Sequence, residues 1–409
     1  LETIFPRVHR TLKREVVGTA GALLYTWPGT DASTRPWLLS SHQDVVPVEA
    51  GTEMSWNHPP FGGDVADGYV WGRGALDVKA MLLAALESAE HLLASGFKPR
   101  RTIYFAFGTD EELEGERGAG EIAKALGSQG VRLAFTLDEG GFILSGAIPG
   151  ITPPVALVGT AEKGDVQLRL RAEDVGGHSS MPDATAPPAR LARAIVALAD
   201  HPMPAGLSRP TTDAFAFIAP HARQPPRFIY HHWRLFAPLL LSFLRRDPVT
   251  DAALRTTMSA TMIACGVAGN AIPRMATAIV NARLKPGDSV PALLEHVRRL
   301  AVPCGVEIDV VNAWEASRIS DANDPAFRAI CSSIREVMPD VVATPVLTLN
   351  STDSRHYAGL ADNQYRFAPI RMLPADLKRI HGTDERISVE SYVDAVEFFI
   401  RYIRNVDRL

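Results

Sequence analysis

Four short clusters in this sequence carry side chains of the kinds that bind metals and move protons: His42-Gln43-Asp44, Asp77 after Gly72-Arg73-Gly74, Asp110-Glu111-Glu112, and Asp138-Glu139. Imidazole and carboxylate are the nitrogen and oxygen donors zinc takes, and a catalytic zinc keeps one position open. One acidic residue at the end of a strand is usually a helix cap or a solvated loop. Four such clusters in one chain point to a metal centre. The adjacent pair Glu111-Glu112 divides naturally, one carboxylate ligating while its neighbour accepts a proton from water. Asp44, two residues after His42, is placed to orient a metal-bound imidazole from behind. Two metals that share one carboxylate polarise a carbonyl and acidify water near neutral pH.

Such clusters need a scaffold that brings them to one edge. In α/β proteins that edge is where loops leave the carboxyl ends of the strands. A short buried strand over 36–40 precedes His42, a β-branched and aromatic strand over 101–107 precedes Asp110, and a third over 131–137 precedes Asp138. Met81, Leu82, Ala85, Ala89 and Leu92 recur at helical spacing, which predicts a helix over 77–95 closed by Gly96. Further helices are expected over 118–126, 325–337 and 389–403, and a strand over 345–349. This alternation predicts an α/β fold, a mostly parallel mixed sheet flanked by helices. The texture changes in the middle. Stretches 165–171 and 275–284 alternate polar and apolar residues, as half-exposed antiparallel strands do, and 186–198 and 290–300 have helical patterns. Residues 161–314 are therefore expected to form an α+β domain inserted into one built from 1–160 and 315–409.

Composition narrows the function classes. A chain of 409 residues suits two domains. Net charge is -4 and no basic run is long enough to suggest a nucleic-acid partner. Cys265, Cys304 and Cys331 are scattered singly and predict no disulfide framework. The longest apolar run, 235–244, is broken by Pro238 and Ser242 and is too short to span a bilayer. The chain opens at Leu1 rather than Met, which leads us to expect that a signal peptide or anchor preceded it. Cytoplasmic and extracytoplasmic locations both stay open.

Read together, Ser41-His42-Gln43-Asp44-Val45-Val46-Pro47, Gly72-Arg73-Gly74-Ala75-Leu76-Asp77, Thr109-Asp110-Glu111-Glu112, Leu137-Asp138-Glu139-Gly140-Gly141 and His381-Gly382-Thr383-Asp384-Glu385-Arg386-Ile387 resemble the motifs of a known family. It is the co-catalytic zinc family of aminoacylases, carboxypeptidases and dipeptidases. Within it the chain is most similar to the branch of carboxypeptidase S and N-fatty-acyl-amino-acid synthase/hydrolase, over nearly its whole length. The resemblance implies a zinc exopeptidase-like fold whose inserted domain serves as lid and dimerisation surface. It implies two Zn2+, with Co2+ or Mn2+ as alternatives. His42 and Asp138 would hold one metal, Glu112 and His381 the other, and Asp77 would bridge them. Glu111 would be the general base and later the acid, with Asp44 behind His42. Gly177-His178-Ser179-Ser180 resembles the lid motif whose His stabilises the tetrahedral oxyanion, often from the partner subunit. Asn270 and Arg283 match lid positions that grip the substrate's carboxylate, a task for which the planar guanidinium fork is suited. Thr352-Asp353-Ser354-Arg355 resembles a loop lining the same pocket, so Thr352, Ser354 and Arg355 are expected to meet substrate. Two departures stand out: Ser41 replaces a usual Gly or Ala, and Asn350-Ser351-Thr352 replaces a glycine-containing turn.

The expected activity is hydrolysis of N-acyl amino acids, N-fatty-acyl ones foremost, to free acid and amino acid, in a reaction that can reverse. A carboxypeptidase or dipeptidase acting on peptides is the first alternative, because both substrates place an amide beside a carboxylate. A catalytically silent metal-binding protein is the second, and the intact Glu111 argues against it. No G-x-G-x-x-G follows a predicted strand, which argues against a dinucleotide enzyme. The expected partners are a small-molecule substrate and a second copy of the chain through the lid. One stretch adds another. Phe215, Phe217, Phe228, Tyr230, Trp233, Phe236 and Phe243 crowd together with Leu239, Leu240 and Leu241, and arginines are interleaved. The bland reading is a lid core or dimer contact. The sharper one is that 215–246 receives a fatty acyl chain or touches a lipid or membrane surface.

Overall fold

The strands expected before three of the four clusters form one sheet. A computed structural model describes residues 1–146, 148–181, 183–373 and 375–409. Along the first part of the chain run β1 (Lys13–Val17), β2 (Ala22–Trp27), β3 (Trp37–His42), α1 (Ala80–Ala94), β4 (Ile103–Gly108), α2 (Ala119–Ser128), β5 (Leu133–Asp138) and β6 (Val155–Glu162). The middle contributes β7 (Gly164–Glu173), α3 (Pro187–Asp200), α4 (Arg209–Ile218), α5 (Pro226–His231), α6 (Trp233–Leu244), β8 (Thr257–Cys265), β9 (Met275–Leu284), α7 (Val290–Ala301) and β10 (Glu307–Trp314). The last part adds α8 (Pro325–Val337), β11 (Val342–Thr348), β12 (Ala361–Arg366) and α9 (Val389–Asp407).

The large sheet has ten strands, ordered β1-β2-β4-β3-β5-β12-β6 and continued by the short strands Ile143–Leu144 and Arg371–Met372, with β11 beside β6. Pairs β3/β4, β3/β5, β5/β12 and β6/β11 are parallel, whereas β1/β2 and β2/β4 are antiparallel. This is the expected mixed, mostly parallel sheet flanked by helices. Central β3 is buried along its whole length, because helices cover both faces of a parallel sheet. Helices α1, α8 and α9 share one core with it through Met81, Leu86, Phe327, Ile330, Phe398 and Tyr402.

Most expected elements appear with ends shifted by a few residues. The instructive difference is at 77–95. Regular helix begins only at Ala80, and Asp77 and Val78 are non-helical, with φ/ψ of -118°/88° and -143°/33°. Tertiary bonds override local propensity here. The carboxylate of Glu385 accepts the backbone N–H of Leu76 (2.8 Å) and of Asp77 (3.1 Å), holding the chain out of the helix.

A second, four-stranded antiparallel sheet, ordered β8-β9-β7-β10, lies within 164–314. Val166, Leu168, Leu170 and Ala172 alternate inward along β7 and pack with Leu191, Ala194, Leu293 and Val297 of α3 and α7. The chain enters this domain at Lys163 and leaves it at Glu315. Not all of the insertion belongs to it. Helix α4 packs against β11 of the large sheet, with Phe217 edge-on to Phe327 at 5.6 Å. Phe215, Ile218, Tyr230 and Leu240 form a small core with Ile151 and Val155, and Phe215 stacks on Tyr230 at 5.5 Å. The aromatic stretch is thus mainly an annex of the large domain, not a core of the lid.

Where the two domains meet, Arg366 at the end of β12 donates from Nε to Glu162 (2.8 Å), and Glu162 also accepts the backbone N–H (3.1 Å) and hydroxyl (2.9 Å) of Thr352. Both members of the pair are buried, at 0% and 2% exposure. Removing one partner strands the other charge out of water. Arg366→Met should therefore destabilise the fold by about 3–5 kcal/mol. Urea denaturation checks this, and a midpoint equal to wild type would refute it.

Candidate metal centre and active site

Strands β3, β4 and β5 run parallel, so their carboxyl ends lie along one edge. His42 ends β3, Glu111 and Glu112 follow β4, and Asp138-Glu139 follow β5. Asp77 arrives before α1, and His381 arrives from the loop before the short strand Arg386–Ser388. The backbone after β5 must pass very close to β6. A Cβ on Gly141 would lie 1.8 Å from the carbonyl oxygen of Leu157, so only glycine fits there.

Asp77 is the hub. Its Oδ1 lies 3.1 Å from Nε2 of His42 and its Oδ2 lies 3.1 Å from Nε2 of His381. Oε2 of Glu112 lies 3.2 Å from the same His381 nitrogen. On the other side, Nε2 of His42 lies 3.8 Å from Oε1 of Glu139 and 4.0 Å from Oε2 of Glu111. The donor atoms of His42, Asp77 and Glu112 all lie within 4.8 Å of one another, as do those of His42, Glu111 and Glu139. Asp44 sits behind His42. Its backbone carbonyl lies 3.1 Å and its carboxylate 3.4 Å from Nδ1, which fixes that nitrogen as the donor and leaves Nε2 to face the hub.

Electrostatics says what this cage is built for. Burial, and then the carboxylates of Asp77, Glu112 and Asp138, push the Glu111 carboxyl up to about 8, against the opposing charge of His42. Burial and Asp77 push Glu139 well above the usual range. Burial would raise Asp77 as well, but its bonds to His381 and His42 outweigh that and hold it low. The bonds from Asp77 and Glu112 raise His381 to about 10. Four carboxylates gathered out of water around two imidazoles are a site for divalent cations. The donor set of nitrogen and oxygen atoms fits zinc or its neighbours.

One expected ligand, Asp138, lies outside the tight donor groups around His42. Asp138 is fully buried; its Oδ1 accepts the N–H of Glu139 (3.0 Å) and its Oδ2 the hydroxyl of Ser354 (2.9 Å). Each of these oxygens keeps a further lone pair, and Glu139 beside Asp138 lines the cleft. An Asp-Glu pair at a strand end offers two candidates, and the sequence gives no sign of which one turns inward. Ser354 is likewise buried against Asp138 rather than open to substrate. Thr352 lines the cleft floor but is 2% exposed and spends its hydroxyl on Glu162.

The cleft itself, about 330 Å³, is lined by Asp77, Glu111, Glu112, Glu139 and His381 on one side and by Asp165, Arg283 and Trp314 of the lid on the other. Arg283 donates to Asp165 (2.9 Å) and to Asn281 (3.2 Å). Arg355 also lines the cleft, its guanidinium 3.9 Å from the centre of the Trp314 ring. Asp165 and Trp314 carry no motif that would have marked them in advance. Glu385 accepts the backbone N–H of Asp77 and pairs with Arg73 at 2.6 Å.

His178 and Asn270 lie elsewhere. His178 pairs with Ala271 in a small ribbon beyond the end of the lid sheet where Glu173 meets Met275, while Arg283 pairs with Asp165 at the opposite end. Eight residue steps separate Met275 from Arg283, about 27 Å of strand. His178 is exposed, and its Nδ1 accepts the N–H of Ser180 (3.1 Å), so the ring proton sits on Nε2.

Comparison with known proteins agrees with this geometry. The model of peptidase family M20/M25/M40 matches residues 38–405. The chain belongs to that family. It is 39% identical over 411 residues to probable carboxypeptidase S-like 2 of Dictyostelium discoideum, covering 100% of this chain and 78% of that protein. It is 39% identical over 412 residues to N-fatty-acyl-amino acid synthase/hydrolase PM20D1 of Xenopus tropicalis, covering 100% of this chain and 80% of that protein. The M20 family metallo-carboxypeptidase Sso-CP2 from Sulfolobus solfataricus shares the fold, with a TM-score of 0.73 at 17% identity over 100% of this chain and 94% of that one. The protein is thus a hydrolase of a dinuclear metal-dependent family.

The placement of Glu139 and Asp138 leads to a measurable difference. Chelation should abolish activity and readdition of Zn2+ restore it. By mass spectrometry, Glu139→Ala should lose one of the two metals, whereas Asp138→Asn should keep both and bind them about 10–100-fold more weakly. The reverse pattern would make Asp138 the ligand.

Proposed function

We propose that this protein hydrolyses N-acyl amino acids, with a long acyl group preferred. The observation that carries the reading is that Asp77, facing two imidazoles, shares one cleft with the proton-accepting Glu111 and with Arg283 of the lid. His42, Glu139 and Asp77 would hold one metal and Glu112, His381 and Asp77 the other, with Asp44 and Asp138 positioning their neighbours. Bound there, a pair of Zn2+ ions would polarise the amide carbonyl and acidify water.

The remaining work falls to side chains. Glu111, whose carboxyl burial has made more basic, takes a proton from the attacking water and delivers it to the amine nitrogen as the C–N bond breaks. Arg283 exchanges Asp165 for the substrate's carboxylate, which its planar fork can grip at both oxygens. Arg355 and Trp314 wall the same end of the cleft. His178 and Asn270, on the far side of the lid, serve the site of a second copy, where the Nε2 proton of His178 meets the developing oxyanion. The exposed edge strand β8, with Met262 and Ile263 outward, is the natural contact for that copy. The full-length similarity to an N-fatty-acyl-amino acid synthase/hydrolase supports the substrate class; the similarity to carboxypeptidase S-like proteins keeps peptides as the rival.

A substrate panel separates the two. N-oleoyl amino acids should be turned over faster than N-acetyl ones or dipeptides, and equal or reversed rates would favour the peptidase. Converting the carboxylate to a carboxamide should lower kcat/KM by about 10–100-fold, the loss of a charged hydrogen bond. That difference should vanish in Arg283→Met.

Glu111→Gln should lower kcat by about 10²–10⁴-fold with metal content intact. If His178 acts across a dimer, mixing refolded Glu111→Gln with His178→Ala chains restores about a quarter of wild-type activity, since half of random pairs then carry one complete site. No recovery would place His178 in its own chain's site.

A further inference from the structure

Helix α6 has two apolar faces, and the fold uses one. Its inner face is settled: Leu240 is buried, and Trp233, Phe236 and Leu244 pack with Phe215, Tyr230 and Ile151 of the large domain. Its outer face is not. Leu235, Leu239 and Phe243 recur every fourth residue and so form one stripe, with exposures of 76%, 56% and 48%. Phe228 on α5 is also exposed, at 51%. None of 215–246 is among the residues lining the cleft that holds Glu111 and Arg283. The stripe is therefore no wall of the active-site cleft.

The charge around the stripe identifies what would cover it. Between Asp213 and Asp247 the chain has no acidic residue, yet it carries Arg223, Arg227, Arg234, Arg245 and Arg246, in a protein of net charge -4. All five arginines are exposed. Among the described residues only Arg245 has an acidic neighbour, Asp251 at 3.8 Å. Arg245 and Arg246 line an open cavity with Arg255 beside the C-terminal end of α6. A stripe of Leu and Phe flanked by unpaired arginines, on a helix held flat against a folded domain, is complementary to a surface that is apolar below and anionic on top.

We propose that the outer face of α6 docks this enzyme on an anionic lipid surface. Leu235, Leu239 and Phe243 enter the interface between headgroups and acyl chains, and Arg234, Arg245 and Arg246 contact phosphate or carboxylate headgroups. Their long side chains can reach outward while the stripe goes in. The proposal rests on the exposed geometry of α6 and is independent of which amide the active site cleaves.

Vesicle cosedimentation of the metal-loaded protein tests it. Binding to phosphatidylcholine vesicles containing about one-third phosphatidylserine should be at least about tenfold tighter than to phosphatidylcholine alone, and should weaken as salt rises. The double substitution Leu235→Glu with Leu239→Glu should abolish binding, and Arg234→Gln, Arg245→Gln and Arg246→Gln together should weaken it at least about tenfold. Both variants should keep the wild-type thermal midpoint, because the altered side chains lie outside the core. Failure to bind either vesicle, equal binding to both, or undiminished binding of the Leu variant would overturn the proposal. So would a fall in solution mass caused by the Leu variant in lipid-free buffer, since the stripe would then be covered by a second copy of this chain.

Discussion

Negative charge held out of water is the constraint around which the large domain is organised. Asp77, Glu111, Glu112 and Glu139 converge where three parallel strands end, with His42 and His381 on either side. Carboxylates so close cannot all ionise in a buried site without compensating positive charge. The surrounding structure keeps them together all the same. Glu385 pins the backbone before α1, Arg73 pins Glu385, and Asp384 receives the backbone and side chain of Asn57. His381 is held at a φ of 59°, a left-handed conformation that a non-glycine residue adopts only when its neighbours impose it. Together these ties make the charged cluster a rigid receptacle rather than a loose set of acidic loops.

The lid sits beside the receptacle with a different composition of forces. Its core is aliphatic and its sheet antiparallel, so it holds its shape independently of the metals. It presents cationic Arg283 to the anionic cluster across the cleft. Asp165 pairs with that arginine at 2.9 Å. In the proposed reaction a substrate carboxylate would take the place of Asp165, and a ligand without one would leave the pair intact, so the exchange would discriminate among ligands.

Much of this was legible in the sequence because periodicity and strand-end position are local properties. Alternation at 165–171 and 275–284 marked the lid strands, and helical spacing of Met81, Leu82, Ala85, Ala89 and Leu92 marked the inner face of α1. The rest depends on contacts between distant residues. The helix expected from Asp77 starts at Ala80 because Glu385, more than 300 positions away, takes the backbone N–H groups. Asp138 and Glu139 are alike as text, and their different surroundings, a buried bond from Ser354 for one and the cleft for the other, arise only in the fold. The aromatic stretch after Phe215 has the composition of a core, but whose core it is depends on the exposed edge of the large sheet. Asp165 and Trp314 gain their place in the cleft solely from where the lid strands begin and end.

The first and last chain crossings between the domains lie side by side. A Cβ on Gly164 would stand 2.4 Å from the carbonyl oxygen of Trp314, so entry and exit strands touch there. The segment between α3 and β8 returns from the large domain close to the same edge, where Lys163 donates to the carbonyls of Ala252 and Arg255, so the sheet is mechanically a lever with its fulcrum near Arg283 and its far tip near His178. A rotation of about 10° at the fulcrum would shift a tip about 27 Å away by about 5 Å while hardly moving Arg283. On the proposed roles, Arg283 would hold a carboxylate at the still end of the lever while His178, at the moving end, swings toward the site of the second copy, so that motion at the tip need not loosen the grip at the base.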